Sequence, residues 1–297
     1  MIIDSHAHYA HPGYEQEFPY LTLEDGRYAI ARGDRGELFA RMREAGIVGF
    51  IEPSIELERI DAQLALAAAH PDCLGVALGV HPTRCVRVPL RKCRLLRQYA
   101  EQNHPLAIGE TGLDYHLDRE EQHRLRQRFW FAYQLRLADR LRLPLVLHVR
   151  DADDDALRIL RRNRKRIHGG VVHCFTGTPE HAMAYRELGL HIGIGGKLLW
   201  DNEESARLCE AIRRLPLEAI LVETDAPLVL PDIGKPDCSR SQRRRLRNSS
   251  LILPAVIERI ASLHGVSPET VEQTVCRNTL RLFRIEIEQG GNCHVQN

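Results

Sequence analysis

AILVETD, residues 219–225, is the eighth short apolar run in this chain, and that count decides between an open sheet and a closed barrel. The seven earlier runs are IIDSH (2–6), VGFIEPS (48–54), CLGVALGV (73–80), PLAIGE (105–110), PLVLHV (144–149), GVVHCF (170–175) and LHIGIGG (190–196). Near-continuous short apolar runs suit strands buried on both faces. Between them lie stretches of helical pattern such as GELFARMREAG, LERIDAQLALAAAH and ESARLCEAIRRL. Strand alternating with helix builds parallel βαβ units. Eight units without a change of composition predict an α/β fold, a (β/α)8 TIM barrel of a single domain.

Local signals agree with this parsing. Asp153 and Asp154 open a helix at its positive end, and Thr178-Pro179-Glu180 has the form of an N-cap followed by proline at the first turn. Gly46 and Gly189 fall where a left-handed C-cap belongs. After the eighth run come a long loop, the stretch SLILPAVIERIASLHG and a final helical pair ending near Phe283, so extra C-terminal helices are expected. The domain is placed at 1–285, and 286–297 is expected to fray.

Composition narrows the classes. The 297 residues are 43% hydrophobic, and 41 Lys and Arg balance 40 Asp and Glu, so global charge does not mark a nucleic-acid binder. Any such partner must be held by a local site. No apolar run approaches the roughly 18 residues that span a bilayer, and MIIDSHAH lacks the basic and apolar regions of a signal peptide. The eight cysteines are scattered without a CxxC pair, which predicts reduced thiols in a cytoplasmic protein and argues against a zinc ribbon.

The chemistry gathers at the C-terminal ends of the strands, which converge on one mouth in such a barrel. In DSHAHYAHPG (4–13), His6 and His8 are two apart and share one face of an extended strand. Later strand ends add His81, Glu110, His148, His173 and Asp225. Imidazoles and carboxylates converging in this way suit two divalent cations. Glu223 and Asp4 each precede one of these residues by two and are expected to orient a neighbour, since a buried carboxylate needs a partner. His11 is out of this phase and is not needed as a ligand.

The ordered set DSHAH, GVHP, IGETGLDY, LPLVLHVRD, VVHCFTG, LVETDAP and VCRNTLRLF resembles the TatD family of metal-dependent deoxyribonucleases, within the amidohydrolase-like barrels. The resemblance covers nearly the whole chain. It implies that His6 and His8 bind one metal, that His148 and His173 bind a second, that Glu110 bridges both, and that Asp225 is a ligand beside the attacking water. It also implies that His81 lies near the substrate phosphate. The catalytic residues are then Asp225 as general base, Glu110 and His81. The implied activity is exonucleolytic hydrolysis of DNA phosphodiester bonds, with single-stranded or frayed ends as substrate, by a protein that can be a monomer. The metal is left open among Mg, Mn, Zn, Co and Ni.

Substrate contacts are less determined. Arg150 shares the face of His148 and either holds a phosphate oxygen or pairs with a neighbouring loop. Lys197, after the seventh strand, and Arg244, in the Arg-rich stretch SRSQRRRLRN (239–248), are further candidates on the catalytic side. Asp114 and Tyr115 either stabilise a turn or touch substrate. Two features depart from the family pattern: Arg247-Asn248 is followed by Ser249-Ser250 rather than Glu or Pro, and the first loop, 12–35, is long. Its Tyr14, Phe18, Tyr20 and Tyr28 either stack on bases or pack on the barrel rim. An amidohydrolase acting on a small ester, amide or phosphoester would need the same metals, so it is the alternative reading.

Overall fold

The computed structural model describes residues 1–24, 26–116, 120–232, 244–287 and 293–295. Its first strand, β1 (Ile2–Asp4), is followed by a hairpin of β2 (Phe18–Glu24) and β3 (Arg27–Gly33), and then by helix α1 (Arg35–Glu44). The alternation continues with β4 (Ile47–Pro53), α2 (Ile60–Ala69), β5 (Cys73–Leu78), α3 (Pro82–Cys85), α4 (Cys93–Asn103), β6 (Ala107–Asp114) and α5 (Glu121–Leu141). Next come β7 (Leu145–Arg150), α6 (Asp153–Arg162), β8 (Gly170–His173), α7 (Pro179–Glu187), β9 (His191–Ile194), α8 (Glu203–Arg214) and β10 (Ile220–Val222). Helices α9 (Leu253–His264) and α10 (Pro268–Phe283) and the short strands β11 (Ile285–Ile287) and β12 (Cys293–Val295) complete the described chain.

Eight of these strands form one parallel sheet in the order β1-β4-β5-β6-β7-β8-β9-β10, which is chain order. The two edges meet. Ser5 N–H donates to Val222 O at 3.0 Å, Asp225 N–H to His6 O at 2.9 Å, and His8 N–H to Ala226 O at 2.7 Å. The expected TIM barrel is therefore present, and its closing seam runs through the residues that flank His6, His8 and Asp225. The first run was expected to be a strand as far as His6. Its ladder ends at Asp4, but these seam bonds keep the backbone paired beyond that point.

The sequence signals act locally as expected. Thr178 caps α7, its hydroxyl accepting from His181 N–H, and three aspartates occupy the first turn of α6. All eight residues of β6 are buried, in keeping with a strand covered on both faces. That strand runs four residues past the expected end at Glu110, so Glu110 projects from its middle.

Two segments differ from expectation. The long first loop is largely the β2–β3 hairpin, paired in full from Phe18 with Gly33 to Glu24 with Arg27. Tyr14, Phe18 and Tyr20 are buried, and Tyr9, Tyr14, Phe39 and Phe50 form a run of tilted and edge-on ring contacts beneath it. These rings pack on the rim of the barrel and are not presented to bases, because burying them contributes more than exposing them could. Beyond 285, where fraying was expected, Ile285–Ile287 pairs antiparallel with Cys293–Val295. No helix among the described residues is long and apolar enough to cross a membrane.

Candidate metal centre

Strand register brings the site together. His148 and His173 are direct partners in the β7–β8 ladder, and Gly112 stands opposite His148 in the β6–β7 ladder. A Cβ on Gly112 would overlap the His148 carbonyl oxygen, and its φ of +137° favours glycine. Only glycine lets β6 approach β7 this closely. From behind, Gln134 of α5 bonds Val80 N–H and O and the Thr111 hydroxyl, while Gln127 bonds Asp114 N–H and O. These two buried amides fix the strand ends that carry His81, Glu110 and Asp114.

All six expected ligands converge, with Glu110 at the centre. Its Oε2 lies 2.8 Å from His173 Nε2 and 3.6 Å from His148 Nδ1. Its Oε1 lies 3.6 Å from His6 Nε2 and 3.4 Å from His8 Nε2. Asp225 Oδ1 lies 3.7 Å from His6 Nε2 and 3.3 Å from His8 Nε2. Ligand atoms of His6, His8 and Asp225 fall within 4.8 Å of one another, as do those of His6, Glu110 and His173, and those of His81, Glu110 and His148.

The donor set fits divalent cations. Glu110 Oε1 is buried and accepts no hydrogen bond, although a buried carboxylate oxygen normally has a partner. Two ring nitrogens, His6 Nε2 and His8 Nε2, stand 3.2 Å apart beside it. Lone-pair donors crowded around an unpaired anionic oxygen suit a cation better than they suit each other.

Two of the histidines are aimed by partners on their far side. His148 Nε2 lies 3.0 Å from Asp114 Oδ2, so Nε2–H donates to the carboxylate and Nδ1 is the nitrogen that faces the site. His8 Nδ1–H donates to Pro53 O at 3.1 Å, so Nε2 is the nitrogen that faces the site in the same way. His81 is held differently: Thr83 N–H donates to its Nδ1 at 3.2 Å. In the neutral ring the proton then sits on Nε2, which makes His81 a donor toward the pocket.

Charge follows this arrangement. Burial opposes protonation of His8, but Asp225 and Glu110 overturn that and raise it to about 9. Burial likewise opposes protonation of His148, and Asp114 and Glu110 lift it to about 9. Burial wins at His81 and His173, helped by neighbouring imidazoles, and lowers them to about 3 and about 4. Glu110 is held well below the carboxylate range, the surrounding histidines outweighing its burial. Asp225 is also held low, by His8 against burial.

Around the centre, a cavity of about 650 Å³ opens at the C-terminal mouth of the barrel. A family model described as "TatD related DNase" matches residues 3–284. The chain belongs to the TatD-related DNase family. TatD proteins named 3'-5' ssDNA/RNA exonuclease from Pantoea sp. (strain At-9b) and Erwinia billingiae (strain Eb661) are 37% and 36% identical to it, over 254 and 253 residues. Each match spans 85% of this chain and 94% of the relative. The crystal structure of YJJV, a TatD homologue from Escherichia coli K12, is 28% identical with a TM-score of 0.77, covering 96% of this chain and 98% of that one. A TatD-family hydrolase from Entamoeba histolytica, 21% identical with a TM-score of 0.75 over 95% of this chain and 97% of its own, shares the fold.

The remaining expected residues divide within this TatD-family pocket. His81 and Arg150 line it, and among the described residues no hydrogen bond or ion pair engages the Arg150 guanidinium. Lys197 also lines it, but its ammonium is held by Glu204 at 2.9 Å and lies over the Trp200 ring. Arg244 is exposed and is not among the residues that line the cavity; a charged side chain in the stretch after β10 gains more from water than from the rim. Residues 239–243 of the Arg-rich stretch lie outside the described residues. His11 caps its own turn, accepting from Gly13 N–H.

The supporting carboxylates have distinct partners. Asp4 accepts from Thr224 Oγ1 at 2.5 Å, Ser250 Oγ at 2.7 Å, and the His6 and Thr224 N–H groups at 3.1 Å each. Burial raises it to about 6 in spite of these bonds. Ser250, at the departure from the family pattern, thus completes the Asp4 cluster. Glu223 accepts from Cys174 N–H and lies 3.9 Å from His173 Nδ1, so it steadies the β8 end without bonding the ring. Sequence reasoning passed over Trp200 and Thr83, and left Asp114 undecided. The signal for Asp114 was its position four beyond Glu110 on a strand, the same face by alternation.

Proposed function

We propose that this protein is a divalent-metal-dependent exonuclease that hydrolyses phosphodiester bonds at the ends of single-stranded DNA. Glu110 carries the reading: one buried carboxylate lies within 3.7 Å of five imidazole nitrogens from four strand ends, with Asp225 beside two of them. His6, His8, Asp225 and Glu110 would hold one cation, and Glu110, His148 and His173 a second. Cations bound there would lower the pKa of water and offset the charge that builds on a phosphate under attack.

The chain's own groups supply the rest. Asp225, kept ionised by His8, accepts the proton of the attacking water as general base. His81 Nε2–H and Arg150 donate to non-bridging phosphate oxygens and orient the ester for attack. The names of the curated relatives, exonucleases of single-stranded DNA and RNA, support this substrate class.

The test is incubation of metal-stripped protein with end-labelled single- and double-stranded DNA, with Mg, Mn or Zn restored separately. Stepwise shortening from one end that needs a metal, and that is lost in Glu110→Ala and Asp225→Ala, is the expected result. No cleavage with any metal, together with turnover of a small ester or amide, would replace the nuclease by the amidohydrolase reading.

A further inference from the structure

One wall of the catalytic cavity is apolar. Trp200, Leu228, Val229 and Leu230 line the cavity together with the histidines. Leu228 is 57% exposed, among the most exposed large apolar side chains described. Trp200 is half-buried, and its ring is fixed: Nε1–H donates to Leu230 O at 2.8 Å, and the Lys197 ammonium lies over it at 5.6 Å from the centroid. Lys197 is itself held by Glu204. An indole tethered by its one polar atom and steadied by a cation is a rigid flat surface, lining a cavity that also holds the candidate metal ligands.

We propose that Trp200, flanked by Leu228, is the platform on which a nucleobase of the bound strand stacks while its phosphate lies at Glu110 and Asp225. This rests on the nuclease reading and adds the substrate feature it recognises. The cavity, at about 650 Å³, is in the size range that encloses one small ligand, here a nucleotide at a strand end. Every base has a π-face, so stacking on an aromatic ring tolerates any sequence. A base still paired and stacked in a duplex has no face to offer. The platform therefore selects unpaired ends and does not select sequence. It also gives Lys197 a role other than holding phosphate: it positions the indole.

Two readouts test this. The first compares a single strand with a normal terminal nucleotide and the same strand with an abasic one, both with Mn. In the wild-type protein the abasic strand should have a kcat/KM on the order of 10- to 100-fold lower, the worth of one stacked base. In Trp200→Ala that ratio should collapse toward one, while Trp200→Phe keeps most of it. The second uses fluorescence. The chain has two tryptophans, and Trp130 is fully buried. Oligothymidylate added to the Asp225→Asn variant with Mn should quench emission, and adding Trp200→Phe should abolish the quenching.

An unchanged ratio in Trp200→Ala, or quenching that survives in Trp200→Phe, would overturn the platform and leave the nuclease standing. If the wild-type protein cleaves neither strand, both fall together.

Discussion

Asp114 Oδ2 lies 3.0 Å from His148 Nε2, on the side of the ring away from Glu110. The carboxylate fixes both the tautomer and the orientation of this histidine, and does so from the same strand that supplies Glu110. Asp114→Asn should therefore weaken metal binding by about 10- to 100-fold while the protein stays folded. Calorimetric titration of the metal-free variant with Mn or Zn, alongside a circular dichroism spectrum, checks this. Unchanged affinity would mean that strand packing alone aims His148.

Metal uptake should depend steeply on pH. In the metal-free protein His8 and His148 are both held at about 9, so each carries a second ring proton, on the nitrogen that faces the site, at neutral pH. A cation must displace that proton, and its affinity rises with pH until the ring's own pKa is reached. His173, lowered to about 4, is already neutral and releases none. Affinity should rise about tenfold per pH unit for each proton displaced, between roughly pH 6 and 8. Titrations in two buffers of different ionisation enthalpy count the protons released; none released would contradict the assigned states.

The Asp4 cluster joins β1 to the residues after β10 through Thr224 and Ser250, which are 220 and 246 positions away. Asp4→Ala leaves two hydroxyls and two N–H groups buried without their acceptor. The expected cost is roughly 2–4 kcal/mol, read by urea denaturation. A loss within error would mean that water replaces the carboxylate at the seam.

Phe18 separates the two roles considered for the hairpin aromatics. Buried against Tyr14 and Tyr20, it should cost about 3–5 kcal/mol when changed to alanine and leave the Kd for single-stranded DNA unchanged. Fluorescence anisotropy with a labelled oligonucleotide reads the Kd. A weaker Kd at full occupancy of the folded state would return these rings to the substrate.

The barrel and the convergence of its six candidate ligands were legible because both depend on local periodicity and on the topology it implies. Eight runs fix which strand ends share a mouth, and alternation within a run fixes which side chains enter it. What escaped depends on contacts between distant segments. The partner of Lys197 is Glu204 on the next helix, and nothing in the spacing of the two residues shows that the ammonium is occupied. In the first loop the aromatics alternate only weakly with polar residues, so the choice between stacking on bases and packing on the rim stayed open, and hairpin pairing and burial under the rim had to come from tertiary packing. Trp200 is followed by the polar run Asp201-Asn202-Glu203-Glu204, which marks the start of the next helix and not a pocket; the indole enters the site through the turn after β9.

The most direct measurement is an anomalous difference map from crystals grown with Mn. Two peaks are expected, one within coordinating distance of His6, His8 and Asp225, the other of His148 and His173, with Glu110 reaching both. Peaks elsewhere in the barrel, or none beside Glu110, would contradict the two-cation centre and the hydrolytic chemistry assigned to it.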